Sequence, residues 1–457
     1  MKVFYSFGTD GIREKYPFLN DLVAYIVGKS FAKIVDKKEK VVIGFDTRFN
    51  SYSMSLALSS ALVGSGFKVE LSSNPISTPA LAFITKHRKC FGFQITASHN
   101  PYYYNGIKIL HKGLKINDSL EKKIENELNN YFELLHQDFS NYLQLFKDNI
   151  NSHNNFKISN FANIYIKHLL LFAKKKIFFE KKPPELLVII DLANGALSTY
   201  ALTIFKQLTK NVKVINNKPN GFNINDNCGA TNIETFQKIF QTLSKNYQKA
   251  IGFTFDGDGD RVLCTYKENK NLFVLDGDVI LLIISKFLKN FYPINTVALT
   301  HMSSLGIEKA FVSQGINVLR TEVGDKYLTK AILEGRAQLG AEQSGHIVIP
   351  PFLYTGDGIL SSLFLLSALN YTQIDDIIQS IEKFEQKLIN VKVLNKKEFI
   401  EKNKSLFEKI QKQYPNSRIF VRPSGTEDVV RILIESKEKQ KIEEIEEIIN
   451  KEVVINV

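Results

Sequence analysis

Long apolar runs are missing from this chain. None approaches the ~18–20 residues of a membrane span, and the strongest, VILLII at Val279 to Ile284, suits a core helix or strand. Cysteine is nearly as scarce. The three present, Cys90, Cys228 and Cys264, lie far apart and form no C-x-x-C pair, a usage that fits a reducing cytoplasm with each thiol packed as a small hydrophobe. The amino terminus, MKVFYSFGTDGIR, has no apolar stretch or small-residue cleavage site, so no signal peptide is expected and a cytoplasmic location is. Basic residues outnumber acidic ones, giving a formal net charge of +12, yet they form no dense stripe interleaved with aromatics. That argues against nucleic acid and for an anionic small substrate such as a phosphate ester. A G-x-S-x-G elbow is also absent, which weakens any hydrolase reading.

At 457 residues the chain exceeds the ~250–300 residues at which single cores stop growing, so three or four domains are expected. Self-similarity organises them. A three-strand theme runs VVIGFDTR, FKVELSSNPISTPA, CFGFQITASHNP; it returns as LLVIIDLANGAL, VKVINNKPNG, KAIGFTFDGDGDR, and again as TVALTHMSSLGI, INVLRTEVGDKYL, AQLGAEQSGH. Apolar runs that end in small or polar residues and lead into helical patterns mark βα units in a mainly parallel sheet. Ligand loops in such sheets lie beyond the carboxyl ends of strands, so each third strand delivers one loop, TASHNP, DGDGDR or AEQSGH, toward one cleft. Helices are expected between Asp118 and Lys174, and KKPPE at Lys181 to Glu185 marks the entry to the second sheet. The tail departs from the theme: KLINVKVL, a lysine-rich helix from about Lys397 to Gln413, the hairpin-like RIFVRPSGTEDVVRILIES and a charged closing helix. The expected fold is therefore α/β, with three homologous α/β domains at 1–155, 156–265 and 266–372, of mixed, mainly parallel sheets, and a C-terminal α+β domain at 373–457.

In DGDGDR, glycines alternate with Asp256, Asp258 and Asp260 and let the backbone turn tightly enough for three carboxylates to converge on a hard cation such as Mg²⁺. The string opens like a calcium EF-hand loop. Arg261 replaces the glycine that loop needs, however, and Lys267 replaces its bidentate glutamate. Ser98 follows the strand FGFQIT, so its hydroxyl is expected to be exposed on a tight turn. Phosphoryl transfer suits it, since a phosphorylated Ser98 would supply a further oxygen to the cation. Lys108 would return across a hairpin, either as a cation for the phosphate or, with a lowered pKa, as a proton carrier. RPSGTE joins Arg422 to two hydroxyls and a glycine-freed backbone, with Arg431 one strand later, a combination suited to clamping phosphate. AEQSGH offers Glu342, Gln343, Ser344 and His346, groups suited to sugar hydroxyls, with His346 also able to act as acid or base near neutral pH. FGTDGIR adds Thr9, Asp10 and Arg13. Each loop alone is commonplace as an ordinary turn.

Together and in this order, FGTDGIR, TASHNP, DGDGDR, AEQSGH and RPSGTE resemble the amino-terminal, phosphoserine, metal, sugar and phosphate loops of the α-D-phosphohexomutase family. Within it the chain is most similar to the bacterial phosphoglucosamine mutases, through FGTDGIR, an N-I-N-x-x-C-G-x-T segment from Asn223 to Thr231, and Gln343 inside the sugar loop. The resemblance implies four domains around a central cleft, one Mg²⁺ per subunit held by Ser98, Asp256, Asp258 and Asp260, and phosphorylation of Ser98 for activity. It implies interconversion of glucosamine 6-phosphate and glucosamine 1-phosphate through a hexose 1,6-bisphosphate. Arg422, Ser424, Gly425 and Thr426 would hold the phosphate that is not reacting, and Glu342 and Ser344 the ring hydroxyls. Lys108 with Arg13, and then His346, would handle protons, while Arg261 and Asp325 in VGDKYL would line the pocket. A homodimer stays open.

Two positions depart from the family pattern: Glu14 stands where glycine is usual after GIR, and Asp428 where proline is usual after SGTE. The first would alter the loop beside Arg13 and the second would weaken the phosphate clamp slightly. Three rival readings remain at this point: the same chemistry on mannose or glucose phosphates, a metal-dependent sugar phosphatase, and a sugar-phosphate binder without catalysis.

Overall fold

Short β-branched and aromatic runs separated by helices build four sheets in the computed structural model, which describes residues 5–8, 10–137, 155–178, 185–424 and 428–453. Thr9, Gly425, Thr426 and positions 181–184 of KKPPE lie outside the described residues. The first sheet holds β1 (Ile12–Lys15), β2 (Lys40–Phe45), β3 (Lys68–Ser72), β4 (Phe91–Ile95), β5 (Tyr104–His111), β6 (Leu114–Lys115) and β7 (Lys157–Ser159). The second holds β8 (Leu187–Asp191), β9 (Val212–Ile215), β10 (Lys249–Phe255), β11 (Val262–Glu268) and β12 (Asn271–Leu275). The third holds β13 (Thr296–Thr300), β14 (Asn317–Thr321), β15 (Leu339–Ala341) and β16 (Ile347–Val348), and the fourth β17 (Glu385–Lys392), β18 (Arg418–Pro423) and β19 (Val429–Ser436).

One topology recurs in the first three sheets. Their shared parts read β5-β4-β2-β3, β11-β10-β8-β9 and β16-β15-β13-β14. In each, three strands run parallel and a fourth returns antiparallel beside the third. The three-strand theme is thus a four-strand unit, three copies of an α/β domain followed by an α+β domain in which β17-β19-β18 is wholly antiparallel. β4, β10 and β15 end at Ile95, Phe255 and Ala341, immediately before the three distinctive loops.

Helix ends follow local chemistry. Ser77 caps the helix Thr78–Arg88 by accepting from the Ala80 amide, with Pro79 in its first turn, and such a cap contributes ~1 kcal/mol. Asp276 caps Gly277–Leu288 in the same way through Val279. That helix contains VILLII, buried on nearly every side between the second and third sheets, which is why no amphipathic period marks it. Phe31, Phe93 and Leu58 centre the first domain's core. Tyr165, Phe253, Phe287 and Phe364 belong to a continuous core through the second and third domains, while Phe399, Ile432 and Ile445 centre a separate one in the fourth. Each such side chain contributes ~1.5–3 kcal/mol by burial. Among the described residues no helix is long and apolar enough to cross a membrane.

The fourth domain is tied to the third at one corner. Arg418 pairs with Glu435 at 2.7 Å and donates to the Ser303 carbonyl at 2.8 Å, while Glu435 accepts from the Leu305 amide at 2.7 Å. A buried carboxylate at the start of the helix Leu305–Ser313 gains from that helix's dipole.

Candidate active site

Ser98 stands three residues beyond β4 with φ at +53°, a left-handed conformation that a serine keeps only where its surroundings over-determine it. Its carbonyl accepts from Arg48 Nη2 at 3.0 Å and from Asn225 Nδ2 at 2.8 Å, one donor from each of two domains. Its amide donates to Thr96 Oγ1. Arg48 also donates to the carbonyls of Asn100, Pro101 and Tyr104, and its Nε lies 2.9 Å from Asp46, with neither side chain exposed. Asp46 accepts further from Ser51 and Thr96, so the buried pair is hydrogen-bonded on both sides, which offsets its desolvation.

The expectation of an exposed Ser98 hydroxyl is corrected. The residue is fully buried, because the DGDGDR loop lies over it and Ser98 Oγ donates to Asp256 Oδ2 at 2.8 Å. Gly257 permits that approach, since a Cβ there would lie 2.7 Å from the Ser98 carbonyl oxygen. The carboxylates of Asp256, Asp258 and Asp260 offer oxygens within 4.8 Å of one another. Thr78 Oγ1 and Lys108 Nζ bond Asp258 Oδ2, but Asp258 Oδ1 and Asp260 Oδ1 have no hydrogen-bond partner among the described residues. Burial, and then the like charges of Asp260 and Asp258, push Asp256 well above the ordinary carboxylate range. Buried hard oxygens with unused acceptors and mutual repulsion fit a divalent cation such as Mg²⁺.

Lys108 rises from β5, opposite Gln94 of β4, and is 1% exposed. Its Nζ lies 2.8 Å from Asp258 Oδ2, 3.3 Å from Asp260 Oδ2 and 2.9 Å from Asp10 Oδ2. Burial alone would lower its pKa. The carboxylates of Asp10, Asp258 and Asp260 outweigh burial and hold it well above the usual lysine value. Three carboxylates around its ammonium group fit the fixed cation of its two expected roles.

Arg13 pairs with Asp10 beside it. His99, next to Ser98, is pushed down to about 4 by burial and then by Arg261 and Arg13, so it is neutral near pH 7. His346 is 3% exposed; its Nε2 accepts from the Gly356 amide at 2.9 Å, and its Nδ1 lies 3.9 Å from Asp260. Arg261, whose backbone bridges to His346, donates its amide to Asp256 at 3.2 Å. Burial would lower its side-chain pKa, but Asp260, Asp256 and Glu342 raise it. Asp325 opens the helix Asp325–Leu333 and lies 2.6 Å from Lys115 and 3.7 Å from His346.

Glu342 accepts from the Gly324 amide at 3.0 Å and from the exposed Ser344 hydroxyl at 3.2 Å. Gln343 is engaged with the capping carboxylate of Asp276. Arg422 and Arg431 stand directly opposite each other across β18 and β19. Burial and Arg431 lower the pKa of Arg422, while Glu322 and Glu342 oppose them. Ser424 is buried, with its amide on the Val429 carbonyl and its own carbonyl on Lys396. Asp428 extends into solvent, 94% exposed and 3.7 Å from Lys396. Glu14 accepts from the Lys15 amide at 2.8 Å.

Sequence reasoning missed Asp46, Arg48, Thr78, Lys115 and the clamp made by Asn225. A signal existed for three of them: Asp46 and Arg48 in the DTR that follows the first strand of the first repeat, and Asn225 inside N-I-N-x-x-C-G-x-T. Models of the phosphoglucomutase/phosphomannomutase family match alpha/beta/alpha domain I at residues 5–134, domain II at 163–269, domain III at 276–384 and the C-terminal domain at 388–452. The chain belongs to this family. It is 37% identical to the phosphoglucosamine mutase of Thermotoga maritima, over 99% of each chain. In fold it is similar to a phosphoglucomutase/phosphomannomutase family protein from Burkholderia thailandensis, with a TM-score of 0.76 at 18% identity over 98% and 97% of the two chains. It also resembles N-acetylphosphoglucosamine mutase of Aspergillus fumigatus in complex with GlcNAc-6P and magnesium, with a TM-score of 0.70 at 18% identity over 98% and 95%.

Proposed function

We propose that this chain interconverts glucosamine 6-phosphate and glucosamine 1-phosphate in the cytoplasm through a phosphoserine enzyme and a 1,6-bisphosphate. The observation that carries the reading is Ser98 Oγ at 2.8 Å from Asp256 inside the buried triad, with Arg422 and Arg431 paired across a hairpin that lies within the electrostatic range of Glu342. Units at 1–155, 156–265, 266–372 and 373–457 each bring one loop to this cleft. Asp256, Asp258 and Asp260, with an oxygen of phosphorylated Ser98, would hold Mg²⁺; when bound, it neutralises charge on the transferring phosphoryl oxygens.

The substrate's own phosphate binds at Arg422, Ser424, Gly425 and Thr426 with Arg431, and its ring hydroxyls at Glu342 and Ser344. Its free hydroxyl attacks the phosphorus on Ser98. A P–O bond forms to the sugar as the bond to Ser98 Oγ breaks, and in net one proton passes from the hydroxyl to Ser98. The bisphosphate turns end for end, and its other phosphate returns to Ser98. Lys108 and Arg13 balance charge at the serine, Arg261 and Asp325 line the pocket, and His346 holds the metal loop against the third domain.

Incubation with glucose 1,6-bisphosphate should add one phosphoryl unit by intact mass, mapped to Ser98, and turnover should favour glucosamine 1-phosphate over glucose 1-phosphate. A preference for the neutral sugars would overturn the substrate assignment. Release of inorganic phosphate at the rate of isomerisation would turn the reading to a phosphatase.

A further inference from the structure

The hairpin that presents Lys108 continues through Lys112 and Gly113, both at positive φ, into β6 and places a second lysine beside the first. Lys115 Nζ lies 2.5 Å from Asp10 Oδ1 and 2.6 Å from Asp325 Oδ2. The other oxygen of Asp10 is 2.9 Å from Lys108, which in turn is 2.8 Å from Asp258. An unbroken line of alternating charge, Asp325, Lys115, Asp10, Lys108, Asp258, therefore runs from the third domain through the first into the metal loop of the second.

Two features distinguish Lys115 from a packing residue. Its side chain is 18% exposed and borders a cavity of about 660 Å³ between residues 114–121 and the helix Asp325–Leu333, with its ammonium group held between the two carboxylates. A second ion pair, Lys326 with Asp118 at 3.1 Å, spans the same gap at the surface and does not touch Asp10. Without Lys115, Asp10 and Asp325 would lose their common counter-ion and repel each other. Asp10, still paired with Arg13 and Lys108, would then shift away from Asp325 and draw Lys108 from Asp258.

We infer that Lys115 is a positioning residue for phosphoryl transfer: by joining Asp10 to Asp325 it fixes Lys108 against the metal aspartates and couples that arrangement to the docking of the third domain on the first. The inference rests on the mutase reading above. Its test compares Lys115→Met, Lys115→Arg, the double variant Lys115→Met/Asp325→Asn and, as a control, Lys326→Met, by steady-state kinetics, melting temperature and the rate at which Ser98 gains mass from glucose 1,6-bisphosphate.

Lys115→Met should lower kcat and the phosphoryl-uptake rate about 10²-fold, the scale of a misplaced catalytic group, while KM moves less than about threefold. Lys115→Arg should restore most of kcat, and Lys326→Met should behave as wild type. If Lys115→Met does not fold, the double variant, which removes the stranded carboxylate, should fold and remain slow. Wild-type kcat in Lys115→Met or in the double variant would overturn the inference, as would a loss of melting temperature with kcat per folded molecule unchanged. A wild-type protein that takes up no phosphoryl group at Ser98 would overturn the mutase reading instead.

Discussion

Arg48 allows the rigidity of the serine loop to be tested against a worked magnitude. It is buried with Asp46, and it donates to the carbonyls of Ser98, Asn100, Pro101 and Tyr104. Removing one partner of a buried pair costs ~3–5 kcal/mol, because the other charge is stranded. Asn225 still donates to the carbonyls of Ser98 and Asn100 in the variant, and Ser51 and Thr96 still donate to Asp46. Arg48→Met should therefore lie at the low end, about 3 kcal/mol, out of a total stability of ~5–15 kcal/mol. Lysine keeps the charge but not the fork, so Arg48→Lys should lose ~1–2 kcal/mol. Asp46→Asn/Arg48→Met should be less destabilised than Arg48→Met alone, since no charge is stranded. Urea unfolding at constant m gives these differences, and the mass gain at Ser98 gives the rate of phosphoryl uptake, expected to fall ~10²-fold in Arg48→Met. A loss below about 1 kcal/mol, the scale of a single neutral hydrogen bond, would refute the reasoning, as would wild-type uptake per folded molecule.

Ser98→Ala should keep the far-UV spectrum and melting temperature yet lose turnover by several orders of magnitude, with no mass gain from glucose 1,6-bisphosphate; near-native turnover would contradict its role. Gly257→Ala would place a methyl 2.7 Å from both the Ser98 carbonyl oxygen and Ile224 Cδ1, and should cost ~1–3 kcal/mol by overpacking and a larger factor in kcat, which denaturation and kinetics together would show. Burial and then Asp118 raise Glu121 to about 7; a carboxyl raised on folding opposes folding once the unfolded chain ionises, and does so fully above its folded value. Glu121→Gln should accordingly raise the melting temperature near pH 8 and leave it unchanged near pH 4, and a uniform shift across that range would refute the assignment.

Much of this architecture was legible because the repeat is written in apolar runs whose third members end in distinctive loops. VVIGF, VKVI and TVALT each form a parallel strand, as the repeat implied. The fourth strand of each unit was legible in part: NGIKIL forms the hairpin return expected to carry Lys108 and VLCTY is an apolar run bounding the metal loop, whereas Ile347–Val348 is too short to carry a pattern. Within the site, the loops announced Ser98 and the aspartates, but not that one would cover the other. Burial of Ser98 depends on Gly257 meeting a carbonyl from another domain, and no local pattern encodes such a meeting. Lys115 was invisible for the same reason, and the DTR that contains Arg48 did not say what the arginine would hold. A lysine or arginine among 59 such residues acquires meaning only when the fold supplies carboxylates that its neighbours in sequence do not.

Because the Ser98 peptide is gripped by Arg48 from its own domain and by Asn225 from the next, the serine is an anvil rather than a swinging arm. It cannot lean first toward one end of a sugar and then toward the other. In the proposed reaction, which must reach both ends, the ligand is then the part that turns, and how firmly this one residue is clamped is the reason.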